Sequence, residues 1–367
     1  MEEIYKIAIS FFNGFGPVNT KKVIAYTGSL EGLFKEKKQN ILKIPDIGEA
    51  FADKLDRETA LKSAEVELKF VTDNHIKTCF YLDKAYPQRL LNCSDSPCTL
   101  YYKGNTDFNP ARAISIVGTR NASEYGREQC NKLIKDLSEK ENKPAIISGL
   151  AYGIDICAHK AALRNGLSTI AAVGHGLHQM YPAQHKKHAE EIIQDGAIVS
   201  EFTSKSKFDP KNFVRRNRII AGMADATIVI ESAEKGGSLV TADIANSYNR
   251  DVFAFPGRTT DKFSSGCNLL IKTNQAHLIE DVTDLEYILG WEDSNEKPPA
   301  VQTKLFLELS SEEEMIVNTL KQEERMAIDL LCIKTSFPMS KVSALLLKLE
   351  FDGIVKSHPG KIYSLNT

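Results

Sequence analysis

A doubly wound, mostly parallel α/β sheet of the Rossmann-like kind is the fold class this chain predicts, and three stretches predict it. Each is a short apolar strand that breaks into glycine and then opens a helix: AISIVGTR from Ala113 to Arg120, IISGLAYGIDICAH from Ile146 to His159, and TIVIESAEKGGSLVT from Thr227 to Thr241. Strands buried on both faces read as continuous apolar runs. Glycines at their ends let backbone N–H groups aim at an anion.

The elements follow in order. Residues 1–70 carry two glycine phrases, FNGFGPVNTKKVIA ending at Ala25 and IPDIGEAFADKL from Ile44 to Leu55, each placing a short turn before a helix. They predict a helical helix-hairpin-helix or SAM-like domain whose glycine amides, with Lys21, Lys22 or Lys54 nearby, suit either a nucleic-acid phosphate or plain packing. Residues 71–290 form the extended sheet domain. TCFYL and TLYYKG lead in, and ISIVG, AIIS, STIAAVG, AIVSEF, ATIVIE and DVFAFPG then alternate with helical stretches such as Glu124 to Glu139 and Asp155 to Arg164. Residues 291–304, with charge and two prolines but no apolar periodicity, read as a linker. Residues 305–367 give a helix start capped by Ser311, two further helices and a short hairpin, the order of a winged helix. Its acidic run, Glu312, Glu313, Glu314, Glu323 and Glu324, favours docking over DNA contact, although the third helix carries Lys341 and Lys348.

Composition narrows the function classes. The 367 residues carry a formal net charge of −2, with 42% hydrophobic and 26% charged residues, so any pull on a polyanion is local. Glu2, Glu3 and Lys6 interrupt the start and no apolar run is long enough for a membrane span, so the cytoplasm is the expected compartment. Seven scattered cysteines without a C-x-x-C pair fit neither a disulfide framework nor a zinc site.

The strongest local charge bias is KSKFDPKNFVRRNR, in which Lys205, Lys207, Lys211, Arg215, Arg216 and Arg218 oppose Asp209 alone. Phe208 and Phe213 are interleaved, a composition suited to a single strand whose bases stack while its phosphates are neutralised. The bland alternative makes the two phenylalanines core anchors beneath a solvated basic loop. Arg120 follows a strand-end glycine within reach of a phosphate held by backbone amides. Lys235, Gly236, Gly237 and Ser238 resemble a P-loop fragment in the wrong order, and G-x-G-x-x-G is absent, so neither ATP hydrolysis of that type nor a dinucleotide cofactor is expected. His175, His178, His185 and His188 crowd one segment without an acidic or thiol partner and read as surface or turn histidines, with no metal expected. His159 sits where Asp155 could orient it, as a structural or an acid/base residue.

Together, IVGTR, SGLAYGID followed by Ala158 and His159, Tyr181 with Pro182, Ser200 with Glu201, RNRIIAG from Arg216, GGSLVTADIA from Gly236 and FPG at Phe255 resemble the DNA processing protein A family, also called Smf. YPQRL at Tyr86 and the run to Asn105 extend the resemblance upstream, and Leu309 to Leu365 carries it through the tail. The resemblance implies a cytoplasmic, non-catalytic protein without cofactor. Such a protein binds single-stranded DNA, protects incoming strands in natural transformation, loads the RecA recombinase and dimerises through its Rossmann-like domain. Arg120, the amides around Ser148 and Gly149, Arg216, Arg218 and the loop Lys235 to Ser238 are the implied phosphate contacts. Lys205, Lys211, Arg215 and Asn217 join them from the basic run. Gly236 departs from the family's usual serine, Val214 from a proline and His178 from an acidic residue. Two other readings stand beside this one. A phosphoribohydrolase-like nucleotide-processing enzyme lacks its glutamate after Gly237, and a pure adaptor would leave the glycine loops without a ligand.

Overall fold

The computed structural model describes residues 2–12, 14–45, 47–291, 309–321, 323 and 325–366. Six helices come first: α1 (Glu2–Ala8), α2 (Pro17–Thr27), α3 (Leu30–Lys35), α4 (Lys38–Ile41), α5 (Glu49–Ala52) and α6 (Arg57–Asp73). Strands β1 (Lys77–Phe80) and β2 (Thr99–Gly104) flank the short α7 (Gln88–Leu91). The alternating body follows as β3 (Ala113–Val117), α8 (Glu124–Ser138), β4 (Ala145–Ser148), α9 (Ile154–Arg164), β5 (Thr169–Ala172), α10 (Lys186–Asp195) and β6 (Ala197–Ser200). It continues as α11 (Pro210–Gly222), β7 (Ala226–Val229), α12 (Gly237–Ser247), β8 (Asp251–Ala254), α13 (Ser265–Lys272), β9 (His277–Leu278) and α14 (Val282–Leu289).

The nine strands form one sheet in the order β1-β2-β6-β5-β4-β3-β7-β8-β9. From β6 to β9 every pair is parallel, while β1 and β2 are added antiparallel at one edge. This is the doubly wound, Rossmann-like sheet the sequence predicts. Strands β3, β4, β5 and β7 are buried throughout because helices cover both faces. Since β3, β4 and β7 run the same way, the three glycine loops at their carboxyl ends open on one edge of the sheet.

The N-terminal helices share a continuous apolar core with one face of the sheet, Val23, Leu33, Phe80, Leu100 and Ile219 belonging to it. Polar contacts fasten the two: Thr99 Oγ1 donates to the Lys6 carbonyl at 2.6 Å, and buried Glu67 accepts from the Ser204 amide at 2.7 Å. The last helix of this module runs to Asp73 and the sheet begins at Lys77.

Residues 292–304 of the expected linker, and Glu324, lie outside the described residues. Beyond them, α15 (Ser311–Leu320), β10 (Met326–Ala327), α16 (Ile328–Thr335), α17 (Met339–Phe351), β11 (Val355–His358) and β12 (Ile362–Leu365) build a winged helix around Ile316, Leu331, Leu346 and Val355. The cap of α15 is Ser310 rather than Ser311. Its hydroxyl accepts from the Glu313 amide while the Glu313 carboxylate accepts from the Ser310 amide at 2.8 Å, a full capping box. Lys341 and Lys348 of α17 are paired with Glu312 and Glu313 of α15, so the basic residues of the third helix are neutralised within the module. Among the described residues no single helix is long and apolar enough to cross a membrane.

Candidate nucleic-acid interface

A shallow pocket sits over the ends of β3, β4 and β5, lined by Arg120, Gly149, Ala151, Tyr152, Tyr181, Pro182 and Phe213. Two of the three glycine loops supply its floor. Gly153 takes a φ of +77°, and a Cβ there would fall 2.1 Å from the Thr119 carbonyl oxygen, so only glycine lets the β4 loop lie against the β3 loop. Leu150, in the same loop, is held at φ +56°, a left-handed conformation that strains a leucine. His185 steadies it by donating Nδ1–H to the Leu150 carbonyl at 2.8 Å.

Beneath the floor lies a buried charged layer. Arg216, 4% exposed, donates Nη1–H to the carbonyls of Gly149, at 2.6 Å, and of Ala172. Nε also reaches the Asn217 side-chain oxygen at 3.2 Å. A Cβ on Gly149 would lie 2.6 Å from both the Arg216 guanidinium and the Asp155 carboxylate, so the bare glycine lets both charged groups approach the loop. Burial pushes Asp155 above the ordinary carboxylate range, against the pull of Arg216, and lowers Arg216 to about 10. Arg216 therefore braces the loop from below, and its hydrogen bonds are spent on two main-chain carbonyls and the Asn217 side chain.

The basic run divides between two faces of α11. Arg218 lines a different cavity, where it donates to Glu201 at 2.5 Å and to the Asp95 carbonyl at 2.6 Å; it does not reach the strand-end pocket. Arg215 pairs with the same Glu201 carboxylate at 2.6 Å. Lys205, Lys207 and Lys211 are exposed near the amino end of the helix. Ser148 is fully buried, its hydroxyl donating to the Ile116 carbonyl at 2.6 Å, and it does not line the pocket, whereas Gly149 does. The loop from Lys235 to Ser238 does not line the pocket; Lys235 and Gly237 are exposed, whereas the Ser238 hydroxyl donates to Ser232 at 2.8 Å. Arg120 is exposed at the pocket mouth.

The interleaved aromatics form a cluster. Tyr181, Phe208 and Phe213 make a triangle with ring centroids 5.0, 5.5 and 5.5 Å apart, and Tyr181 and Phe208 are 43% and 48% exposed. Tyr152, 41% exposed, packs edge-on against His185 at 5.0 Å. Phe208 is thus no core anchor. Tyr152 and Tyr181 were not among the expected DNA contacts, although both sit in motifs that carry the family resemblance.

Two histidines expected at the surface are buried. His175 accepts from the Tyr181 amide at 3.1 Å and donates to the Gly176 carbonyl at 3.0 Å, so with His185 it sets the pocket wall. These rings replace backbone partners that water supplies in a surface turn. His159 is fully buried too, bonded through Nδ1 to Thr169 at 2.7 Å rather than to Asp155. The Thr169 hydroxyl donates onward to the Ile146 carbonyl, so His159 is the donor and its Nε2 stays unprotonated. Among the described residues no group of three or more histidine, cysteine or acidic side chains is placed to hold a metal.

Burial lowers His159 to about 3. Between about pH 3 and 6.5 the unfolded chain binds a proton there that the folded chain refuses, so folding stability falls as pH drops through that window, by up to ~1.4 kcal/mol per unit. Asp155 acts with the opposite sign. Its raised pKa makes the folded chain hold a proton that the unfolded chain has lost, so its stabilising effect fades as pH rises above the ordinary carboxylate value. Urea unfolding of wild type and His159→Gln, which share Asp155, from pH 7 to 5 should show a steeper loss in wild type. Equal slopes would mean that His159 is not a buried neutral group.

Comparison with known proteins places this arrangement. The family model for DNA recombination-mediator protein A matches residues 77–289, and that for the DprA winged helix domain matches residues 297–361. Protein Smf of Synechocystis sp. is 30% identical across 99% of this chain and 98% of its own length. DNA processing protein DprA of Streptococcus pneumoniae is 42% identical over 52% of this chain and 67% of its own. The crystal structure of DNA processing protein A from S. pneumoniae superposes with a TM-score of 0.67 at 33% identity, covering 78% of this chain and 96% of that one. A structure of DNA processing protein A from Helicobacter pylori, described for its single-stranded DNA binding mode, superposes with a TM-score of 0.53 at 28% identity, covering 59% and 96%.

Proposed function

The chain belongs to the DNA processing protein A (DprA/Smf) family, and from that premise we propose that it binds single-stranded DNA at the strand-end pocket and acts without catalytic turnover in DNA processing during natural transformation. The observation that carries this reading is the joint placement of Arg120, the glycine-loop main chain and the exposed rings of Tyr152 and Tyr181 around one pocket, with exposed Phe208 packed edge-on against Tyr181. Phosphate meets Arg120 and the amides near Gly149, while bases lie on the aromatic rings. Lys205, Lys207 and Lys211 extend the positive field along the strand, and the loop Lys235 to Ser238 receives the phosphate beyond β7. Arg216 and Asn217 act from within, as supports.

Residues 71–290 hold the strand on this reading, while 1–70 and 305–367 are accessory modules. The protein acts in the cytoplasm, passes strands to the RecA recombinase and works as a homodimer through the sheet domain. The exposed Leu269 and Leu278, beside the short edge strand β9, support the last point. A nucleotide-processing enzyme is disfavoured because the only carboxylate of α12, Asp243, is exposed and no glutamate lies on that helix.

The test is a titration of fluorescent single-stranded oligonucleotide against salt. Affinity should fall steeply with ionic strength and exceed that for duplex. Phe208→Ala should weaken binding by ~1–3 kcal/mol, roughly 5- to 100-fold, and leave the salt slope intact, because a ring contributes stacking and no charge. Unaltered affinity in Phe208→Ala would remove the stacking platform from the proposal.

A further inference from the structure

Between the N-terminal helices and the sheet lies a cavity of about 580 Å³ that the strand-end reading does not use. One wall is the start of α2, with Gly14, Gly16 and Thr20; the other includes Glu201, Phe202 and Arg215. Its two ends have opposite chemistry.

At the first wall, α2 is 11 residues long and its N-cap, Gly16, supplies no side-chain cap; Pro17 carries no N–H and the Thr20 amide is bonded to the Gly16 carbonyl, so Val18 and Asn19 present the uncapped N–H groups at the positive end of the helix dipole. The Lys54 ammonium lies nearby, 3.3 Å from where a Gly14 Cβ would be. At the second wall, the Glu201 side chain is 3% exposed. One of its oxygens takes both Arg215 and Arg218, and the other, Oε1, is buried without a partner. A buried carboxylate oxygen lacking a donor is costly, and a ligand N–H would relieve it. Arg215, with its side chain 54% exposed, is the partner able to swing aside and admit one. Phe12, Phe15 and Phe202 give the space between an aromatic lining.

An anion-seeking end and a donor-seeking end joined by aromatic walls match one nucleotide. We propose that this cavity is a second nucleotide site, with a phosphate at the start of α2 and the pairing edge of guanine or cytosine donating to Glu201. Thymine, with a single N3–H, fits less well. The occupant is either a residue of a bound strand or a free nucleotide, and the two are separable.

Gly16→Asp is the decisive variant. Its φ of −69° suits any residue and a Cβ there meets nothing within 4 Å. Aspartate is also a favoured N-cap, so the fold should be kept or stabilised while phosphate is repelled. Three probes are used: dGMP by calorimetry, and G-containing oligonucleotides of about five and about twenty nucleotides by fluorescence, spanning the usual range of single-strand site sizes. If a strand fills the cavity, Gly16→Asp weakens the longer oligonucleotide about tenfold and leaves the shorter unchanged. If a free nucleotide fills it, dGMP binds wild type and not Gly16→Asp, with both oligonucleotides unaffected. Identical behaviour of wild type and Gly16→Asp toward all three probes overturns the proposal. Arg120→Ala run alongside reads the strand-end pocket separately: if it leaves the short oligonucleotide bound as in wild type, that reading fails while the dGMP arm still decides this one.

Discussion

Replacing Arg216 by alanine is expected to destabilise the fold by ~3–5 kcal/mol, because it strips a buried carboxylate of its neighbouring cation. Asp155 is 7% exposed, and the carbonyls of Gly149 and Ala172 lose their guanidinium donor at the same time. Urea unfolding at pH 7 measures the cost. A double variant, Arg216→Met with Asp155→Asn, should recover part of it, since the charge left behind is the main penalty. Single-stranded DNA affinity should fall because the Gly149 loop loses its brace, but the salt slope should hold, as the guanidinium meets no phosphate. Near wild-type stability together with a slope reduced by about one unit would instead make Arg216 a surface phosphate contact.

Arg120→Ala is expected to behave in the opposite way. Arg120 is exposed at the pocket mouth, so removing it should leave thermal stability unchanged. A charge-assisted contact to phosphate contributes ~1.5–3 kcal/mol, so affinity for single strands should drop roughly 10- to 100-fold at low salt. The salt slope should flatten by about one unit, and the loss should be uniform across sequences. Wild-type affinity in Arg120→Ala would take the phosphate out of this pocket. The pair of variants thus separates a residue that touches the ligand from one that holds the loop touching it.

Much of this architecture was legible before any coordinates. The apolar runs from Ala113, Ile146 and Thr227, each ending in glycine, gave the strands and the edge on which their loops open, since burial on both faces leaves no polar position to confuse the pattern. The helix Glu124–Ser138, which Ser123 caps at its start, differs from its predicted span by one residue at its carboxyl end. Charge bias was legible as well, but not its direction. Arg215, Arg216 and Arg218 are neighbours in a run that reads as a solvated face, and arginine is ordinarily outside. Yet Phe213, Arg216, Ile219 and Ile220 stand at helical spacing on the side turned to the sheet, a signal that could have marked Arg216 as buried. His175, His159 and His185 were misread for a related reason. A neutral imidazole with one backbone or hydroxyl partner buries well, and nothing in its neighbours along the chain says whether that partner exists.

The sequence alone determined the sheet, its strand-end loops, the winged helix and the family, because these rest on periodicities and motifs written along the chain. Only the tertiary structure decided that Arg216 and Arg218 serve opposite faces of one helix, that Tyr152 and Tyr181 join Phe208 beside Arg120, and that α2 and Glu201 face each other across a cavity. Each of those facts depends on residues far apart in the chain meeting in space, where burial turns a charge from a ligand contact into a support.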